Sequence, residues 1–119
     1  AIDCIREPFN GNTLAQVAAI ASLDDDAEVL RRRAEHQEQK TYLYSGFDRL
    51  GIEWVPSEAN FVYVKTVRPV EVFEALLSEG VIVRDFGNAP ALRVTVGTAE
   101  DSRRTIEAFE AAVARLGSV

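Results

Sequence analysis

The 119-residue sequence predicts an α+β fold: a small antiparallel or mixed sheet, covered on one face by helices and preceded by a long connecting helix. Three observations carry the prediction. Short apolar runs at 52–55, 60–64, 81–84 and 91–96 have the length and alternation of strands. Two stretches, after Pro69 and after Thr98, repeat their apolar residues at three- to four-residue steps, as helices do. Ahead of all of them lies a stretch from about 26 to 50 with helical character and no glycine or proline until Gly46.

Residues 1–12 are expected to be irregular, because Pro8, Asn10, Gly11 and Asn12 discourage regular structure. Thr13 followed by Gln16 has the spacing of a capping box, and Leu14, Val17, Ala18 and Ala21 make a small-residue stripe on the helix that follows. Asp24, Asp25 and Asp26 place negative charge where a second helix begins, which suits its dipole. That helix is expected from about Asp26 to Leu50, ending at Gly51. At 1.5 Å per residue it spans about 37 Å, more than a domain of this size needs. Its first half is polar nearly all round, whereas Leu43, Phe47 and Leu50 form an apolar stripe at the far end, the pattern of a helix bridging parts of a larger structure.

After Gly51, Pro56-Ser57 closes the first strand, and in the second Phe61 and Tyr63 alternate with Val62 and Val64. Pro69 suits the first position of a helix, with Val70, Phe73, Leu76 and Leu77 on its expected buried side and Gly80 as its stop. A loop through Gly87, Asn88 and Pro90 joins the last two strands. Thr98 and Asp101 cap a final helix whose inner side is Ile106, Phe109, Val113 and Leu116.

Composition excludes several classes. Hydrophobic content of 47% and charge of 27% are ordinary for a soluble globular fold. No apolar run approaches the ~20 residues of a membrane span, and no signal-peptide pattern opens the sequence. A net charge of −6 argues against nucleic acid as a partner. Cys4 stands alone, which fits a reducing compartment, and the expected location is the cytoplasm. There is no methionine, even at position 1, so the sequence is expected to be a fragment of a longer chain.

His36 is the one histidine, expected to be exposed on the polar half of the long helix, and without a second His or Cys nearby no metal site is expected. Cys4 lacks a histidine partner for nucleophilic work. The carboxylates at 24–26 and 100–101 read as helix-start charges, and Arg31, Arg32 and Arg33 as a solvated face balanced by neighbouring acids. Two arginines in the strands remain. Arg93 lies in mid-strand, where alternation sets it with Thr95 against Leu92, Val94 and Val96. It reads either as a solvated charge or as a hook for a carboxylate or phosphate. Arg84 closes its strand beside Asp85, so an ion pair and a ligand contact are both open.

Four motifs in series then carry a resemblance. Arg6 with Pro8-Phe9-Asn10 and Asn12 with Leu14-Ala15-Gln16, Pro56-Ser-Glu-Ala-Asn-Phe61, Gly80-Val-Ile-Val-Arg-Asp85, and Leu92-Arg-Val-Thr-Val-Gly-Thr98 resemble, in order and spacing, the closing third of the histidinol-phosphate aminotransferases. These are pyridoxal-phosphate transaminases of the aspartate-aminotransferase fold, and the resemblance covers nearly the whole sequence. It implies a C-terminal small domain at 51–119, with 1–50 as a lead-in segment and connecting helices. In the family the arginine of the LRxTxG strand holds the substrate α-carboxylate, which implies that role for Arg93. The arginine of the GVxVRD segment lies near the pocket and serves the distal, phosphate-bearing end, which implies a substrate-binding role for Arg84.

The resemblance further implies a parent that converts histidinol phosphate and 2-oxoglutarate to imidazole acetol phosphate and glutamate, as a homodimer. The family's cofactor lysine, its pyridine-facing aspartate and most of its phosphate-cup residues precede this region. No catalytic or cofactor-binding residue is therefore expected here, no pyridoxal phosphate is expected on the fragment, and the fragment is expected to be inactive without its N-terminal cofactor domain. Neither Lys40 nor Lys65 has the family's Ser-Lys setting. Related branches acting on aromatic amino acids or threonine phosphate share much of the pattern. Two other readings stand beside it: a free-standing amino-acid-binding regulatory module, and a dimerisation surface at 1–50.

Overall fold

A computed structural model describes residues 12–87, 89–117 and 119. The expectations placed on residues 1–11, Cys4 and Arg6 among them, and on Asn88 lie outside the described residues. Backbone packing divides the chain into two compact units, Ala1–Ala34 and Glu35–Val119. The division falls inside the long helix.

In the first unit, helix α1 spans Thr13–Leu23 and helix α2, Asp26–Leu50, begins. The cap of α1 is Asn12, whose side chain accepts a hydrogen bond from the Ala15 N–H at 2.7 Å. The expected Thr13–Gln16 box is thus corrected by one residue. Asparagine carries the acceptor oxygen that the first helical N–H groups need, and Thr13 becomes the first helical position. No side chain of α1 is buried. The Asp25 carboxylate accepts from the Glu28 N–H at the start of α2. Arg31 and Arg32 both donate to Glu28, at 2.7 and 2.6 Å, and hold its carboxyl down at about 2.

The second unit contains the far half of α2, strands β1 (Trp54–Val55) and β2 (Phe61–Lys65), helix α3 (Pro69–Ser78), strands β3 (Arg84–Asp85) and β4 (Ala91–Thr95), and helix α4 (Ala99–Leu116). The sheet order is β1-β2-β4-β3 and every neighbouring pair is antiparallel. Helix α3 therefore carries the chain from β2 across to the edge position, and β3 returns beside β4 as a hairpin.

Two strands are shorter than the alternation suggests, for a shared reason. Gly51 and Gly80 take positive φ, 69° and 76°, and end α2 and α3. The next residue in each case, Ile52 or Val81, donates its N–H back to the helix, to Phe47 O and Leu76 O. Those N–H groups are committed to the helix ends, so pairing in the sheet starts only at Trp54 and Arg84.

The core lies on one sheet face. Val62, Val64, Leu92 and Val94 pack with Leu43 and Phe47 of α2, Val72 and Leu76 of α3, and Ile106 and Phe109 of α4. The ring of Phe109 meets that of Phe47 edge-on at 5.2 Å. Gly46 allows the close approach of α4, since a Cβ there would fall 2.4 Å from Ile106 Cδ1. The expected inner side of α3 is corrected: Val72, Ala75 and Leu76 are buried, Phe73 is partly covered, and Val70 and Leu77 are exposed. Two adjacent apolar stripes run along this helix, and the stripe centred on Val72 and Leu76 faces the sheet.

His36 is also corrected. It is half-buried, and its Nε2 is shut off from solvent with no hydrogen-bond partner. Among the described residues no group of three or more His, Cys, Asp or Glu side chains could hold a metal. No helix among them is long and apolar enough to cross a membrane.

Candidate functional site

The opposite face of the sheet carries the two arginines. Alternation along β2 and β4 sends Phe61, Tyr63, Arg93 and Thr95 away from the side that buries Val62, Val64, Leu92 and Val94. Register does the rest. Arg93 stands directly opposite Tyr63 on β2 and directly opposite Arg84 on β3. Side chains so paired have Cβ atoms about 5 Å apart, and like charges in that relation destabilise a sheet.

Neither guanidinium has an ion-pair partner among the described residues. The reading of Arg84 as paired to Asp85 is not what the geometry shows. Asp85 points its carboxylate at the Gly87 N–H, 2.9 Å away, and sits opposite Leu92 in the ladder. Arg84 is exposed. Arg93 is half-buried, its Nε is shielded from solvent without a hydrogen-bond partner, and its guanidinium carbon stands 5.3 Å from the centre of the Phe61 ring. Tyr63 meets Phe86 at 5.8 Å. The result is two adjacent cations on an apolar, aromatic floor, an arrangement whose charge is balanced when an anion lies across it.

Helix α2 fixes the approach to this floor. Lys40, a residue 3% exposed, donates from its ammonium to Ser57 O at 2.7 Å, and the Tyr44 hydroxyl accepts from the Ser57 N–H at 3.0 Å. Tyr44 also stacks on Trp54, with ring centres 3.8 Å apart. The segment 56–60 is thus held on both backbone groups of Ser57 immediately before Phe61.

Lys40 and Lys65 are the two lysines of the sequence. Lys40 is committed to Ser57, and Lys65 pairs with the Glu53 carboxylate. The arginines were legible in the sequence, but the Phe61–Arg93 contact and their direct opposition were not. Both depend on strand register: that of β2 on β4 for the Phe61 contact, and that of the β3–β4 hairpin for the opposition of the arginines.

A family model described as "Aminotransferase class I and II" matches residues 1–109. A histidinol-phosphate aminotransferase from Symbiobacterium thermophilum is 54% identical over 112 residues, which is 91% of this chain and 31% of that protein. One from Moorella thermoacetica is 50% identical over 109 residues, 88% of this chain and 28% of that protein. The chain therefore spans less than a third of the length of these curated relatives. Among solved structures, histidinol-phosphate aminotransferase from Sinorhizobium meliloti in complex with pyridoxal-5'-phosphate superposes with a TM-score of 0.81, covering 98% of this chain and 34% of that one. Its identity is 18%, so the likeness is one of fold.

Proposed function

The chain belongs to the class I and II aminotransferases, and on that premise we propose that it is the C-terminal part of a histidinol-phosphate aminotransferase whose sheet face holds the anionic groups of the substrate. Residues 51–119 form the small domain, and residues 1–50 lead from the cofactor-binding part, which lies in the rest of the longer protein. The observation that carries the reading is the direct opposition of Arg84 and Arg93, without an acidic partner among the described residues, on the face away from the core.

Arg93 takes the α-carboxylate of glutamate or 2-oxoglutarate in two-pronged fashion, through the guanidinium nitrogens that Phe61 does not cover. Held there, the amino- or oxo-bearing carbon is fixed in position toward the rest of the site. Histidinol phosphate has no carboxylate. Its phosphate carries up to two negative charges and lies across Arg93 and Arg84 together, which gives Arg84 the phosphate-bearing end. Pyridoxal phosphate, bound by the longer protein, supplies the electron sink for amino transfer. With both lysines of this chain engaged elsewhere, the chain alone is inactive. The longer protein works in the cytoplasm as a homodimer.

The test uses the full-length protein with both substrates. Arg93→Ala should raise KM for 2-oxoglutarate and for histidinol phosphate by about a hundredfold, on the scale of one or two lost charge-assisted hydrogen bonds. Arg84→Ala should raise KM for histidinol phosphate about tenfold while leaving that for 2-oxoglutarate within about twofold. Unchanged KM values in Arg93→Ala would remove the assignment. Turnover of aromatic amino acids in preference to histidinol phosphate would move the protein to a related branch. Stoichiometric amino-acid binding by the 119-residue chain alone would favour a regulatory module.

A further inference from the structure

Arg93 is held by a ring rather than by an acid, and the consequence reaches beyond its role as an anion hook. A half-buried guanidinium usually lies against a carboxylate, which fixes its direction but also neutralises it. Here each neighbour in register is the wrong kind for that. Arg84, directly opposite on β3, repels it, and Tyr63, directly opposite on β2, accepts no hydrogen bond from it. The ring of Phe61 lies diagonally across, two residues along β2 from Tyr63, within the reach of long and aromatic side chains on one sheet face. The guanidinium carbon stands 5.3 Å from that ring centre, inside the range of a cation–π contact. The Nε that this packing shuts off finds no other partner.

We infer that Phe61 is a positioning residue for Arg93: it holds the guanidinium in its binding direction by cation–π attraction without neutralising it, so that the full charge is kept for the substrate anion. The inference rests on the reading of Arg93 as the substrate-anion hook. An acidic side chain at position 61 would compete with the substrate for the same cation. An aliphatic one would leave the guanidinium free to swing away from Arg84 into solvent. The ring is in turn placed by the clamp on Ser57, because Lys40 and Tyr44 fix the segment that leads into it.

The experiment compares Phe61→Leu, Phe61→Tyr, Arg93→Ala and the Phe61→Leu/Arg93→Ala double variant in the full-length enzyme. Phe61→Leu should raise KM for 2-oxoglutarate about five- to tenfold, the scale of a largely desolvated cation–π contact, with kcat within about twofold of the parent. Phe61→Tyr, which keeps the ring, should restore KM to within about twofold. In the Arg93→Ala background Phe61→Leu should add nothing. An unchanged KM in Phe61→Leu, beside a raised KM in Arg93→Ala, overturns the inference and leaves the hook. An unaffected Arg93→Ala overturns the hook itself, and the inference with it. An equal Phe61→Leu penalty with and without Arg93 also overturns the inference, since the ring then acts through something else. If Phe61→Leu does not fold, the arginine-labelled parent protein decides by NMR. The Arg93 Nε–H proton is expected upfield of the other arginines under the ring current of Phe61, and a shift at the common arginine position contradicts the inference.

Discussion

On one face of the sheet Val62, Val64, Leu92 and Val94 are each 2% exposed or less, and on the other the same two strands present Phe61, Tyr63, Arg93 and Thr95. The first face is closed by three helices of this chain. The second carries two uncompensated guanidinium groups that no acid among the described residues meets. Neighbouring residues thus serve separate ends, since a one-residue step along a strand moves from a position that stabilises the fold to one that stores unmet charge. Substitutions on the inner face should therefore act on stability, and those on the outer face on binding.

The largest expected effect lies on the inner face. Leu92→Ala should cost about 3 kcal/mol in denaturant unfolding, because Leu92 is fully buried and the cavity it leaves cannot collapse against β2 and α3. Its sequence neighbour gives the converse. Arg93→Ala should leave the melting temperature unchanged or raise it, since it removes a like-charge pair across β3 and β4, while binding suffers. A comparable stability loss in both variants would erase the distinction between the faces.

A smaller effect should come from the helix layer that closes the inner face. Gly46→Ala places a methyl against the Ile106 side chain and should cost about 1–2 kcal/mol, despite alanine's better helix propensity. The smallest should be electrostatic and confined to the first unit. The Glu28 carboxyl, held at about 2 by its bonds to Arg31 and Arg32, has an ordinary value of 4.5. A lowered folded-state value means that its contribution is complete above pH 4.5 and is lost as pH falls from there through about 2. Acid titration followed by backbone NMR should show the first turns of α2 loosening in that window, and Glu28→Gln should abolish the dependence.

Much of this organisation was legible in the sequence because it rests on local rules. The bounds of α2 at Asp26 and Leu50, the Thr98–Asp101 capping box and the alternation along β2 each depend on residues a few positions apart. What the sequence concealed depends on tertiary choices. Ile52 and Val81 read as strand residues, yet their N–H groups close helices. Val70 and Leu77 read as core, yet the neighbouring stripe of α3 faces the sheet. His36 reads as an exposed residue of a polar helix, yet its Nε2 is shielded. At the site, Arg84 and Arg93 were visible as residue types, but their opposition follows from the register of the β3–β4 hairpin, and the place of Phe61 follows from that of β2 on β4. Asp85, the neighbour in sequence, is turned aside to Gly87 by the turn that sets this register.

On this reading the outer face takes the substrate's anion through the two opposed arginines. A crystal structure of the full-length protein with histidinol phosphate tests it most directly. Phosphate oxygens are expected at about 2.7–2.9 Å from guanidinium nitrogens of both Arg93 and Arg84, with the Phe61 ring still packed on Arg93. A phosphate bound elsewhere, with this sheet face covered only by protein and both arginines paired to acids of the longer chain, would contradict it.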